Sequence, residues 1–342
     1  MTSSPIVTGL LAYGMSGKLF HAPFVQQHPG FTLKAVVERH QKLAAERYPD
    51  IISYNNTEEL LNDAEVELII VNSPNYLHYE QAKAALLAGK HVLIEKPAAA
   101  TEDEFMDLLA TGKQVDRRVM IYQNRRWDSD FLSVKEVIES GRLGNLIEVH
   151  FRFDRYRAAI GPKKFKEEAN YKANGLVYDL GPHLLDQVIS LFGKPVSWYK
   201  TVAAHREGSA VPDYFSYQLS YPNNLMVTLT ASLMVADPGP AFILHGSAGS
   251  FTKNRTDVQE PQLLAGIWPN DESYGVEPAG SEGRLVTIQG VADKITELAP
   301  SCKGNYMHIF DAVHHTIRNG ALYPITDEHI GWQLELIEAK AN

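Results

Sequence analysis

Directly after the first apolar run of this 342-residue chain stands Ala12-Tyr13-Gly14-Met15-Ser16-Gly17, which opens into Lys18-Leu19-Phe20-His21. A turn that cradles a dinucleotide pyrophosphate needs a tight bend, a residue without a side chain where backbone meets phosphate, and a small residue where the next helix packs on the strand. Gly14 and Gly17 fill the second and third roles. Ala12 fills the first, which a small side chain tolerates when its backbone dihedrals are ordinary. Free N–H groups at the start of the following helix would face the phosphates. About 20 residues on stands Glu38, at the place where an acid hydrogen-bonds the adenosine ribose hydroxyls, which favours NAD over NADP. Arg39 beside it can instead receive a 2′-phosphate or stack on adenine, and the pair also reads as a solvated strand end.

Two later strand ends carry polar chemistry. Val71-Asn72-Ser73-Pro74-Asn75 is a proline-stiffened polar turn suited to the nicotinamide ribose, with His78 one turn further on. Ile94-Glu95-Lys96-Pro97 projects two charges from the end of an aliphatic run, which is costly unless each finds a partner. In a third stretch, Gly175-Leu176-Val177-Tyr178-Asp179-Leu180-Gly181-Pro182-His183, the acid and the histidine are four residues apart and so share one face of a helix.

The elements that must position these residues follow from pattern. The length suggests two domains, and 44% hydrophobic, 21% charged and 10% aromatic residues describe an ordinary globular protein. Residues 1–122 alternate aliphatic strands (6–11, 32–37, 68–72, 91–94 and 119–122) with helical stretches (42–48, 57–61, 79–88 and 102–112), the βαβ pattern of a covered parallel sheet. From 123 the pattern changes. A helix over 128–140 leads to a strand over 146–155, in which Glu148, His150, Arg152 and Asp154 alternate with Val149, Phe151 and Phe153, so one sheet face meets solvent or a partner. A helix over 176–192, strands over 198–205, 214–220, 226–232 and 242–247, a Pro- and Gly-rich stretch at 253–283 that reads as a cover, and helices over 306–319 and 328–341 complete the chain. The expected fold class is α/β, with domains over 1–122 and 123–342.

Composition also excludes. Cys302 is the only cysteine, so there is no intramolecular disulfide and no cysteine-built metal site, as suits a reducing compartment. A net charge of −9 with the acidic excess spread over both halves leaves no nucleic-acid footprint. Met1-Thr2-Ser3-Ser4-Pro5 lacks the basic start of a secretory signal, and the longest aliphatic run falls far short of the roughly 20 residues that a membrane helix needs. The expected location is cytoplasmic. His314 and His315 are adjacent and point to different helix faces, so no metal is expected.

Together, the phosphate turn, the Asn-x-Pro turn with its nearby His, Glu95-Lys96-Pro97 and the Gly-x-x-x-Asp-x-Gly-x-His stretch resemble the Gfo/Idh/MocA oxidoreductase family over essentially the whole chain. Phe20-His21-Ala22-Pro23 and Gln123-Asn124-Arg125-Arg126-Trp127-Asp128 further resemble a bacterial subgroup of it. The resemblance implies a Rossmann domain followed by an α/β domain with a large open, mostly antiparallel sheet. It implies a tightly held NAD or NADP, and hydride transfer at a hydroxyl or carbonyl carbon of a sugar, sugar acid or polyol. It also implies a homodimer or homotetramer through the second sheet. Carried over by residue, its conserved lysine is Lys96, and its Asp and His are Asp179 and His183. The family commonly has small residues before the Asp, where this chain has Leu176, Val177 and Tyr178, a departure that bears on substrate shape.

The chemistry of the residues agrees. Hydride loss from a carbinol requires loss of the hydroxyl proton, which a histidine accepts efficiently near neutral pH. Lys96 would hydrogen-bond the same oxygen and stabilise developing alkoxide, with Asp179 orienting substrate or histidine. Lys96 and His183 come from different domains, so the active site is expected in the cleft between them. Arg155, Tyr156 and Tyr306 are secondary substrate candidates, and Asn124, Arg126 and Trp127 are candidate contacts for nicotinamide or substrate, each equally open to a structural role. Two other functions stay in view, a catalytically silent NAD(P)-sensing regulator and a redox-assisted glycosidase.

Overall fold

Aliphatic runs without polar alternation are stable only when both sheet faces are covered, and runs of this kind form the centre of a six-stranded parallel sheet. Its strands are β1 (Ile6–Leu10), β2 (Phe31–Val37), β3 (Ile52–Tyr54), β4 (Leu68–Val71), β5 (His91–Glu95) and β6 (Val119–Tyr122), in the order β3-β2-β1-β4-β5-β6. Every residue of β4 is buried. The order reverses between β1 and β4, and the crevice beyond their carboxyl ends is where doubly wound sheets bind ligands. The flanking helices are α1 (Ala22–Gln27), α2 (Thr57–Leu61), α3 (His78–Leu87) and α4 (Glu102–Gln114). Asn56 caps α2 by accepting from the Glu59 amide, and Thr101 caps α4 by accepting from that of Glu104.

The computed structural model describes residues 4–342, so the first three residues of the N-terminal stretch read above lie outside it. The chain divides into two compact units. The first runs to Asn124 and also takes Gln262–Glu272 and Tyr306–Leu334, two stretches that the sequence reading assigned to the second domain. For the later stretch the reason is apolar packing: Phe310 stacks on Phe24 at 5.3 Å and meets Phe31 and Tyr122 edge-on or tilted; for the earlier one, Trp268 stacks under the Arg47 guanidinium and the Asn270 amide donates to Gln27 Oε1.

In the second unit, α5 (Ser129–Glu139), the short α6 (Lys164–Glu167) and α7 (Gly175–Phe192) accompany an eight-stranded sheet. Its strands are β7 (Leu146–Asp154), β8 (Ser197–Ala203), β9 (Tyr214–Ser220), β10 (Met226–Ser232), β11 (Phe242–Gly246), β12 (Gly249–Lys253), β13 (Gly283–Gln289) and β14 (Asp293–Ala299). Neighbours are antiparallel in the order β14-β13-β12-β11-β7-β10-β9-β8, except that β7 and β10 are parallel. The register explains the alternation in β7. Leu219, Val227, Val149, Leu244, Phe251 and Leu285 form one cross-strand row with no exposed surface, while Gln218, Thr228, His150, Ile243, Thr252 and Arg284 form the adjacent row on the wetter face. The remaining helices are α8 (Gln259–Leu264), α9 (Met307–Asn319) and α10 (Asp327–Glu338). No helix of the described residues is long and apolar enough to cross a membrane.

Two expectations needed correction. The helix over 42–48 is only a single turn at Ala44–Glu46, because Glu38 draws the Leu43 and Ala44 amides to its carboxylate and Pro49 disfavours helical backbone before it. Strands β3, β12, β13 and β14 carry no pattern that the sequence reading used. Most of β14 is exposed on both faces, which erases the period of two.

Candidate active site

In the first unit the phosphate turn is pinned at its base. Ala12 donates its amide to Asn72 Oδ1 at 2.9 Å and accepts from Asn72 Nδ2 at 2.8 Å, so a side chain at the end of β4 holds the turn that follows β1. A Cβ on Gly17 would lie 2.3 Å from the Ala12 carbonyl oxygen, so only glycine allows the helix to start there. Gly14 faces open space and leaves the turn accessible from outside. Ala12 avoids the left-handed region, as the substitution for glycine requires.

The end of β5 is tied to the same turn. Glu95 Oε1 accepts from Ser16 Oγ at 2.7 Å and lies 2.9 Å from His21 Nε2. Burial alone would raise its carboxyl, but His21, Ser16 and the Lys96 charge hold it down to about 2. His21 is completely buried, on a π-helical turn (Gly17–His21) that precedes α1. Pro23, which has no amide proton, sits just beyond that turn. Lys96 follows directly after β5, partly exposed, before a cis peptide to Pro97.

Several expected cofactor contacts have other partners. Glu38 was expected on the adenosine ribose, but its carboxylate accepts from the Leu43 and Ala44 amides and from Ser53 Oγ at 2.6 Å, leaving the residue 7% exposed. Arg39 next to it is exposed. Asn72 serves the turn, as above. His78 is buried between the carbonyls of Pro97, at 2.7 Å from Nδ1, and Ser73, at 2.9 Å from Nε2, so it braces two strand-end turns. Burial lowers its pKa against those carbonyls. Pro74 and Asn75 lead into a short turn, Asn75–Leu77. Tyr306, expected to face substrate, is fully buried in the first unit with its ring 6.4 Å from those of Phe20 and Phe24.

In the second unit the site is built on α7. Asp179 lies one turn before His183, which is 6% exposed. Arg126 grips Asp186 through Nε at 2.7 Å and Nη2 at 2.8 Å, and Gln187 Nε2 donates to the Arg125 carbonyl at 3.0 Å. The turn Asn124–Trp127 contributes Arg125 and Arg126 to this clamp, so Arg126 positions the helix that carries His183. The Trp127 carbonyl accepts from the Asn305 amide and from Gln259 Nε2, while Asn124, counted with the first unit, is buried.

Cations gather near Asp179. Lys166 Nζ is 2.6 Å from its Oδ1. Burial lowers the Arg155 pKa to about 10, with Arg157 adding to that and Asp179 opposing it, and its guanidinium lies 4.8 Å from the Phe153 ring centroid. Tyr156 is 60% exposed. Lys166 was missed because it lies in the charged run 163–168, whose composition alone reads as solvated. Asp186 was missed although it stands three residues after His183 on the same helix, a spacing that could have found it.

The turn, its accessible face and its place at the topological switch fit a dinucleotide, and the fold and site together define a nucleotide-dependent oxidoreductase. Comparison with known proteins specifies it. Residues 7–123 match the oxidoreductase family with an NAD-binding Rossmann fold, and residues 131–252 match the Gfo/Idh/MocA C-terminal domain. The scyllo-inositol 2-dehydrogenase (NADP(+)) IolW of Bacillus subtilis is 36% identical over 98% of this chain and 92% of its own length. The uncharacterized oxidoreductase YdgJ of Escherichia coli is 34% identical over 98% and 95%. The solved structure of Bacillus subtilis yvaA superposes with a TM-score of 0.94 at 35% identity, covering 99% and 96%. The chain belongs to the Gfo/Idh/MocA oxidoreductase family. It is an NAD(P)-dependent enzyme of the dehydrogenase and reductase class.

Proposed function

We propose that this enzyme transfers a hydride between NADP(H) and a hydroxyl or carbonyl carbon of a polyol, sugar or sugar acid. The observation that carries the reading is α7, where Asp179 and His183 stand one turn apart on a helix clamped by Arg126–Asp186. The dehydrogenase activity in the name of the inositol relative supports the polyol class. When bound, the nicotinamide supplies the hydride acceptor or donor. His183 accepts the substrate hydroxyl proton, Lys96 donates a hydrogen bond to the same oxygen, and Asp179 orients the substrate.

Two observations turn the cofactor preference toward NADP. The Glu38 carboxylate, which would hold the ribose hydroxyls of NAD if free, is occupied by its own loop, and Arg39 stands exposed beside it. The cofactor in the name of the inositol relative agrees. Self-association as a homodimer or homotetramer through the open face of the eight-stranded sheet is part of this proposal, and light scattering reads it directly. The lone cysteine supports a cytosolic location.

The test is a panel of inositols, sugars and sugar acids with both cofactors, followed at roughly 340 nm, where reduced nicotinamide absorbs. NADP-linked turnover that Lys96→Ala and His183→Ala each cut by 10² or more, the order of magnitude expected for a general base, supports the reading. Full turnover in both variants rejects it.

A further inference from the structure

The charged run 163–168 plays no part in the mechanism above, yet one of its residues meets the site. Lys166, on the one-turn helix α6, places Nζ 2.6 Å from Asp179 Oδ1 on α7, and the two side chains are 35% and 25% exposed. Both elements rest on the segment that joins β8 to β9. Glu167, the next residue of α6, accepts from Arg206 Nη2 through Oε2 at 2.7 Å and from the Gly161 amide through Oε1 at 3.2 Å. Arg206 Nε in turn donates to Asp213 Oδ2 at 3.1 Å, and these two side chains are 2% and 0% exposed. Breaking a buried charge network of this kind is costly, so α6 is held in place. Neighbouring helical residues project about 100° apart, which lets Glu167 face this base while Lys166 faces Asp179. The first turn of α7 uses the same base. The Leu176 amide donates to the Pro212 carbonyl at 2.8 Å, and Gly175 has φ +71° at a point where a Cβ would lie 3.1 Å from that oxygen.

We propose that Lys166 is a specificity-determining residue that, together with Asp179, reads two neighbouring hydroxyls of the substrate: the carboxylate accepts from one and the ammonium donates to the other. The substrate class is then a neutral vicinal diol, a polyol or sugar with a hydroxyl beside the reacting carbon. An ammonium has three donors and no acceptor, so one N–H serves Asp179 and another the substrate oxygen. Ammonium and carboxylate 2.6 Å apart form a pair without net charge, the complement of a neutral donor and acceptor side by side. A carboxylate-bearing substrate would have to take Lys166 from Asp179 and set two anions against each other, which selects against it. Because α6 and α7 share their anchorage on 205–213, the spacing of the pair is set before substrate arrives, and less ordering is left for binding to supply. The assignment rests on the hydride-transfer reading above and narrows its substrate from polyols, sugars and sugar acids to the neutral members.

The test compares wild type, Lys166→Met and Lys166→Arg on the best polyol or sugar of the panel above and on its deoxy analogues, each lacking one hydroxyl beside the reacting carbon. Turnover gives kcat and KM, and calorimetry gives affinity. The loss expected in Lys166→Met is about tenfold in kcat/KM and in affinity for the parent compound, that of one charge-assisted hydrogen bond, carried by KM with kcat little changed. A deoxy analogue that already lacks the contact should lose nothing further in this variant, since the two changes remove the same interaction. Lys166→Arg, which keeps a charged donor, should recover part of the loss. Wild-type values for the parent compound in Lys166→Met overturn the assignment and leave the dehydrogenase reading standing. An equal loss on the parent and on every deoxy analogue, or a wild type that prefers a sugar acid over the matching polyol, does the same. A wild type that turns over no polyol, sugar or sugar acid with either cofactor overturns both.

Discussion

Single residues in this protein are defined less by their own chemistry than by what occupies them. Glu95 is the clearest case, since one carboxylate oxygen serves both Ser16 and His21. Its pKa falls from 4.5 to about 2 in the folded protein, so it contributes stability that is fully present above the unfolded value and is lost as pH falls from about 4.5 toward 2. Glu95→Gln is expected to lower stability at pH 7 by about 1–3 kcal/mol. In urea titrations, the gap from wild type should narrow as pH drops through 4; a constant gap would show that the charge contributes nothing. Asn72 is a second such residue. Asn72→Ala removes both bonds that hold Ala12, and NADPH affinity should fall several-fold by fluorescence titration while the nicotinamide chemistry, measured at saturating cofactor, is less affected.

At the scale of elements, α7 matters most. It buries Leu180, Leu184, Leu185 and Val188 and carries Asp179 and His183, yet its orientation also depends on the Arg126–Asp186 pair, whose side chains are 10% and 2% exposed. Arg126→Ala would leave the Asp186 carboxylate buried without that guanidinium. The expected cost is about 3–5 kcal/mol, far above that of an exposed ion pair. Asp186→Asn in the same background should recover part of it. A thermal melt that moves no further for Arg126→Ala than for a surface arginine variant such as Arg142→Ala would remove the clamp from the account.

At the scale of the molecule, the chain returns on itself. Lys200, on β8 and 4% exposed, sends its ammonium to the carbonyls of Leu336, Ile337 and Ala339 at the end of α10, while its backbone exchanges bonds with Asn342. The last turn of a helix has carbonyls without helical partners, and a cation there satisfies them. Lys200→Met should therefore destabilise the protein by about 1.5–3 kcal/mol, read as a lower urea midpoint at unchanged slope. The net charge of −9 does not conflict with an anionic cofactor, because backbone amides of the turn and a few placed cations act locally.

The parallel core was legible because β1, β4, β5 and β6 are aliphatic runs that only a two-face burial can explain, and the placement of Asp179 and His183 one turn apart on a helix was legible because a separation of four is a statement about one helix face. The phosphate turn was readable from Ala12, Gly14 and Gly17, since each role there follows from the size of one residue. The partners of Glu38, Asn72 and His78 were not readable. A side chain that can hydrogen-bond a ribose can equally bond its own loop, and the choice depends on where Leu43, Ser53 and the Pro97 carbonyl lie once the chain has closed. The β13–β14 hairpin and the stacking of Trp268 on Arg47 were decided the same way. An edge strand wet on both faces has no period, and a contact between residues so far apart in the chain leaves no local trace. Local sequence determined which elements form and which faces they bury, because those depend on near neighbours. Which polar groups are already occupied was settled only by tertiary structure, which alone brings distant donors and acceptors within hydrogen-bonding distance.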